Sequence, residues 1–185
     1  MPTDNNNPNR QVKIDFLFKV IERFDFYINS TNAKASAIMA WNGILIVIAF
    51  MKFEALMGAF ETNDWSVGLA AFLVLGVVSC CAISLYYVFR VINPFVKHPE
   101  SMASADSYIF FRAVADLSPQ VYSEKIDGLM REDILTDLIN QSHAMARILN
   151  IKMANVTRSL VAVFIGVVFI LLAIVLKAVL IYFSL

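Results

Sequence analysis

Three stretches of the chain, residues 35–51, 67–91 and 160–183, are nearly unbroken runs of apolar side chains separated by polar sequence. Each approaches or exceeds the roughly 17–25 residues that a helix needs to cross the hydrocarbon core of a bilayer. Ahead of the first run, Leu17, Ile21, Phe24 and Ile28 fall on one helical face, which predicts an amphipathic helix over residues 11–35. No Pro or Gly separates this helix from the first run, so the two are expected to form one continuous rod. The third run is entered in the same way. From Asp133 onward Ile134, Leu138, Met145 and Leu149 form a stripe, and no breaker intervenes before Leu160. The polar-side part of each rod would project about 36 Å at 1.5 Å per residue.

The sequence between the second and third runs is shorter in rhythm. Pro94 marks the expected exit of the second helix, because the residue before a proline is biased away from helix. Tyr108, Ile109, Phe110 and Phe111 form an apolar cluster followed by Val114 and Leu117. Ser118-Pro119 reads as an N-cap with proline at the first helical position, and Gly128 as the end of that short helix. No segment alternates with period two. The pattern therefore predicts an all-α membrane protein with three transmembrane helices and a cytoplasmic helical bundle continuous with the first and third spans. Four parts follow: residues 1–34, an N-terminal amphipathic helix; 35–93, a transmembrane hairpin with spans at 35–53 and 66–93; 94–157, a helical ligand-sensing region; and 158–185, the third span.

Composition explains itself once the spans are drawn. Hydrophobic residues make up 59% of the 185, against about 45–50% in soluble domains, and the excess sits in the three runs. Met1 to Asn9 are polar, so no cleaved signal peptide is expected. Fifteen basic and fifteen acidic residues cancel, which argues against a nucleic-acid polymer as partner. The basic residues are unevenly placed. Arg10, Lys13, Lys19, Arg23 and Lys34 precede the first run, and Arg90, Lys97, Arg112, Lys125, Arg131, Arg147, Lys152 and Arg158 lie between the second and third. Only Lys52 lies between the first and second, and only Lys177 follows Arg158. Positive residues stay inside. The N-terminus and residues 94–157 are therefore expected to be cytoplasmic, and the 53–65 loop and the C-terminus to face outward.

Candidate chemistry is sparse. His98 and His143 lack metal-ligand spacing with any Cys or carboxylate, and no phosphate loop, nucleophile elbow or zinc motif occurs. No enzyme activity, metal or cofactor is expected. Cys80 and Cys81 are adjacent inside an apolar run and read as small apolar side chains. Gly76, Cys80 and Ser84 form a row of small residues that allows close helix approach in lipid. Asn42 is polar within the first span, with interhelical hydrogen bonding or pore lining as its two readings. Lys177 either snorkels to the interface or points into an assembly, because Ala162, Gly166, Ala173 and Lys177 share a helical face of about 60°. In the cytoplasmic part, cations accompany aromatics: Lys34, Arg112, Arg147 and Lys152 with Phe110, Phe111 and Tyr122, plus the amides of Gln141 and Asn32. A nucleotide needs a cation for phosphate, an aromatic face for the base and an amide for its edge. Surface charge and core aromatics would produce the same set.

Asn32-Ala33-Lys34-Ala35-Ser36 leads into Trp41-Asn42-Gly43; Phe110-Phe111, Tyr122, Asp137-Leu138, Gln141, Ala146, Ile148 and Lys152 follow before the last span. In order and spacing, over residues 12–175, this resembles the Pycsar transmembrane effectors of bacterial antiphage defence. One departure is Asn32, where the family pattern favours Asp. The resemblance implies a place in the inner membrane and a functional partnership with a pyrimidine cyclase that makes cyclic CMP or cyclic UMP on infection. It also implies an effector that binds the cyclic nucleotide and then impairs the membrane, so that the infected cell stops growing or dies.

On this reading the expected ligand residues are Lys34, Arg112, Tyr122, Gln141, Arg147 and Lys152, with Arg147 and Lys152 at the phosphate. Asn42, Gly76, Gly166 and Lys177 are expected at membrane helix contacts or a pore. Three spans are few for a pore, so a homo-oligomer in the bilayer is expected. Two rival readings remain at this stage: a membrane scaffold without a ligand, and a related toxin gated by a cyclic oligonucleotide.

Overall fold

The computed structural model describes residues 8–58, 64–93 and 107–184. Its elements are α1 (Pro8–Gly58), α2 (Asp64–Ile92), α3 (Phe111–Ala115), α4 (Pro119–Asp127) and α5 (Arg131–Ser184). There is no strand among the described residues. The two predicted rods are single helices of 51 and 54 residues. Segments within Asn9–Met51, Gly68–Ile92 and Arg131–Val179 are long and apolar enough to cross a membrane. The protein is thus a three-helix, multi-pass membrane protein in architecture. One boundary differs from expectation. The loop placed at 53–65 is shorter, because α1 continues to Gly58 and α2 begins at Asp64. The residues after Met51 include Glu54, Ala55, Leu56 and Met57, all strong helix formers, and the first breaker is Gly58. The expected helix exit at Pro94 lies outside the described residues.

The chain divides into two compact units. One contains residues 31–94 and 152–185, the other residues up to 30 and 95–151. In the first unit the buried positions of α1 are Thr31, Ala35, Ile38, Asn42 and Leu45. Their alternating spacings of four and three are the signature of heptad packing. Those of α5 are Lys152, Asn155, Val156, Ser159, Ala162, Gly166 and Ala173. Ala35, Ile38, Val88, Val91 and Val156 form one apolar cluster, and Leu45, Val77 and Cys81 another. The remaining faces carry large exposed apolar side chains such as Trp41, Phe50, Phe72, Phe89, Phe164 and Leu171. Lipid is the solvent in which such a surface is stable.

The α2–α5 contact is built on the row of small residues. A Cβ at Gly76 would lie 3.2 Å from the Phe169 ring, and a Cβ at Gly166 would lie 3.3 Å from Cys80 Cβ. Ser84 meets Ser159 further along. The row therefore pairs α2 with α5 of the same chain, running antiparallel.

In the second unit Ser118 caps α4, its hydroxyl accepting from the Val121 N–H at 3.4 Å, with Pro119 at the first turn. Gly128 ends the helix and returns its N–H to the Glu124 carbonyl. Both features were predicted. Arg10 pairs with Glu132 at 2.7 Å, both with exposed side chains, and such a pair contributes little.

Glycine substitutions test the seam. Gly166→Ala would press on Cys80 Cβ, which is anchored to backbone, whereas Gly76→Ala would press on a ring that can turn. Gly43 has nothing within 4 Å. The expected order of stability in detergent is Gly43→Ala at or above the parent, Gly76→Ala lower, and Gly166→Ala lowest, destabilised by about 1–3 kcal/mol. Equal melting temperatures for all three would contradict the packing.

Candidate functional site

Two polar constellations stand out, one in each unit. The first lies in the interior formed by α1, α2 and α5. Asn42 is fully buried, and its amide donates to the Ile38 carbonyl at 2.9 Å and to Ser84 Oγ at 2.9 Å. Ser84 Oγ and Ser159 Oγ share a hydrogen bond of 2.8 Å, and Ser159 Oγ also donates to the Ser84 carbonyl at 3.2 Å. Asn42 Oδ1 meets no donor among the described residues. Thr31 and Asn155 are buried nearer the Lys152 end of the interior, and Thr31 Oγ1 donates to Met153 Sδ at 3.4 Å. Asn42 thus makes a hydrogen bond between α1 and α2.

Lys152 closes this polar row. It is buried, and its ammonium donates to Asn32 Oδ1 at 2.8 Å and to the Val91 carbonyl. Val91 belongs to the last turn of α2, whose carbonyls lack intrahelical donors and carry the negative end of the helix dipole. The ammonium thus caps α2 and ties its C-terminal end to α1 and α5. Asn32 is neutral, so the charge is balanced by dipoles rather than by a carboxylate; Asp at that position would make the pair ionic. Lys152 precedes the third apolar run, and burial lowers its pKa from the ordinary lysine value.

The second constellation is the Asp137 carboxylate. It is buried on α5 and accepts from Ser107 Oγ at 2.8 Å, from the Tyr108 N–H at 2.8 Å and from the Ile109 N–H at 3.2 Å. Ser107 Oγ in turn accepts from the Phe110 N–H at 2.9 Å. The carboxylate therefore fixes the backbone of residues 107–110 on α5. Tyr122 OH donates to the Tyr108 carbonyl at 3.1 Å, and Lys125 Nζ lies 4.7 Å from the Tyr108 ring centroid.

The sequence-derived ligand residues are distributed between the units. Tyr122, Gln141, Arg147 and Arg112 belong to the unit that includes 95–151, whereas Lys34 and Lys152 belong to the other. Lys34 and Arg147 are exposed and Gln141 is half-buried. The Arg112 side chain lies outside the described residues. Lys152 gives two of its three N–H groups to Asn32 and Val91 and is buried, so a phosphate would reach it only if this packing opened. Among the membrane candidates, Asn42, Gly76 and Gly166 all make contacts within one chain. Lys177 is half-buried on α5, one turn beyond buried Ala173. Ser107, Lys125 and Ser159 received no role from sequence, Tyr108 entered only as part of an apolar cluster, and Asp137 only as part of the family resemblance. Asp137 carried a signal as a lone carboxylate beside the fully buried Leu138.

With this geometry in place the class is plain: a membrane protein with three membrane-length helices, a polar seam between them and a second unit organised by a buried carboxylate. Residues 16–179 match the family described as the Pycsar effector protein domain, and the chain belongs to that family. It is thereby a Pycsar antiphage membrane effector, as the resemblance implied. No curated protein and no solved structure matched the chain.

Asp137→Asn tests the second constellation. Both backbone N–H groups bond Oδ2, so the amide can keep an oxygen for them, but it loses the carboxylate charge and sets an NH2 against Ser107 Oγ, which donates to Oδ1. Loss of hydrogen bonds to a charged acceptor costs about 1.5–3 kcal/mol each. We expect a lower melting temperature and faster hydrogen exchange at the Tyr108 and Ile109 amides. Unchanged exchange at both amides would show that the carboxylate does not hold this turn.

Proposed function

We propose that the protein is a ligand-gated effector that binds a cyclic pyrimidine mononucleotide, cyclic UMP or cyclic CMP, and then impairs the inner membrane of the infected cell. The observation that carries this reading is the family match over residues 16–179 on a chain with three membrane-length helices. The ligand comes from a partner pyrimidine cyclase. Recognition belongs to the cytoplasmic residues 94–157, which supply aromatic faces and basic side chains. The N-terminus lies in the cytoplasm and the C-terminus in the periplasm, following the distribution of Lys and Arg.

A ligand shifts an equilibrium only by its differential affinity for two states. The two states in this proposal are assemblies of several copies in the bilayer. Both α1 and α5 run without a break from predicted cytoplasmic sequence into the spans, so a rearrangement at the ligand needs no linker to move the spans. Lys152 holds the resting state by capping α2. Reaching water or an anion would relieve its burial, and the arrangement it holds would loosen.

Liposomes loaded with a self-quenched dye give the direct test. Release with one cyclic pyrimidine, and none with cyclic AMP or a cyclic dinucleotide, is the expected result. No release from folded, inserted protein would favour the ligand-free scaffold, and release with the dinucleotide alone would move the protein to a different signalling class.

Lys152→Met separates the two roles of that residue. As a cap, its loss leaves the Val91 carbonyl unsatisfied, at about 1–3 kcal/mol. Resting leakage is then expected to rise while nucleotide affinity is retained. Lost affinity with unchanged resting leakage would instead return Lys152 to the phosphate.

A further inference from the structure

We infer that the cyclic nucleotide binds in the groove between the 107–110 turn and α4, with its base against Tyr108 and Tyr122 and its phosphate at Lys125. The inference deepens the nucleotide-gated reading and rests on it. The groove measures about 470 Å3 and is lined by Tyr108, Ile109, Val114, Ala115 and Tyr122. That size falls among small-molecule sites, and the lining is the usual mixture of aromatic and aliphatic surface.

Local structure sets the groups before any ligand arrives. Ser118 and Pro119 fix the start of α4, which places Tyr122 and Lys125 three residues apart on one face. Asp137 holds the Tyr108 backbone through its N–H, and Tyr122 OH holds it through its carbonyl. Both phenol rings are half-buried, so each keeps surface for a partner. A preorganised pair of rings binds without the cost of ordering them.

Charge and size narrow the ligand. The Lys125 ammonium, 4.7 Å from the Tyr108 centroid, puts a cation beside a π face. In the bound state the ammonium leaves the Tyr108 ring for the phosphodiester, and the face it covered takes the planar base. A cyclic mononucleotide carries one phosphate charge and matches one lysine; a cyclic oligonucleotide carries several in a larger ring. Arg147 lies ten residues along α5 from Asp137, about 15 Å of helix rise away, and is therefore excluded from this groove.

The test uses the full chain in nanodiscs, titrated calorimetrically with cyclic UMP and cyclic CMP. Lys125→Gln is expected to weaken binding of the recognised nucleotide about tenfold or more. Tyr108→Leu should do the same, and Arg147→Gln should stay within about twofold of the parent. Loss of affinity in Lys125→Gln but not in Lys125→Arg, which keeps the cation, decides the question even if Tyr108→Leu misfolds. Parent affinity in Lys125→Gln would overturn the groove and leave nucleotide gating standing, as would a changed oligomeric state with unchanged affinity. Binding of neither nucleotide by the parent protein would overturn the gating reading, and this site with it.

Discussion

Ser84 and Ser159 meet across the α2–α5 interface in a setting where burial of apolar surface does not drive association, because lipid tails are as apolar as leucine. Helices in such a solvent hold together by close backbone approach and by hydrogen bonds between side chains. The interface supplies both in sequence along its length. Gly76 accommodates Phe169 and Gly166 accommodates Cys80. The serines then bond to one another and to Asn42, and Lys152 reaches the Val91 carbonyl at the end of α2. Each contact requires the register set by the others. A shift of one residue along α5 would carry Ser159 and Lys152 off this face together.

This register explains why the polar groups are confined to one part of the interior. Thr31, Asn42, Ser84, Lys152, Asn155 and Ser159 are the buried polar residues of the membrane unit, and they occupy neighbouring turns. Leu45, Leu73, Val77, Ala162 and Ala173 fill the remainder with apolar side chains. Polar groups placed deeper would need partners from a bilayer that has none.

The helices were legible in the sequence because membrane length and helical periodicity are local properties. The Ser118-Pro119 start and Gly128 end of α4 were legible for the same reason: caps are written within a few residues. The small-residue row at Gly76, Cys80 and Ser84 was visible too, but its partner was not. Ser84 and Ser159 are 75 positions apart, and nothing local distinguishes a contact within one chain from one between copies. Asp137 shows the same limit, because its partners at 107–109 lie 28 to 30 residues away. Lys152 is instructive in another way. Its type suggested a phosphate ligand, whereas its position one turn before Val156 and two before Ser159 places it on the buried face of α5. Phase along the helix determines its surroundings, and residue type alone does not.

The charge on Lys152 has a further consequence. A buried ammonium is stable when its N–H groups are satisfied and its charge is balanced, and strongly costly when either fails. Here the acceptors are an amide oxygen and a helix-terminal carbonyl, both neutral. They take two of the three N–H groups, and their dipoles balance the charge less completely than a carboxylate would. The helix-end contact is therefore held by geometry against a standing preference of the ammonium for water or an anion. Replacing Asn32 with Asp would deepen that contact by making it ionic, and replacing Lys152 with an apolar side chain would remove both the preference and the cap. A neutral amide at position 32 leaves the contact between these extremes, formed at rest and breakable at modest cost. A contact of that intermediate strength is what the proposed gating requires.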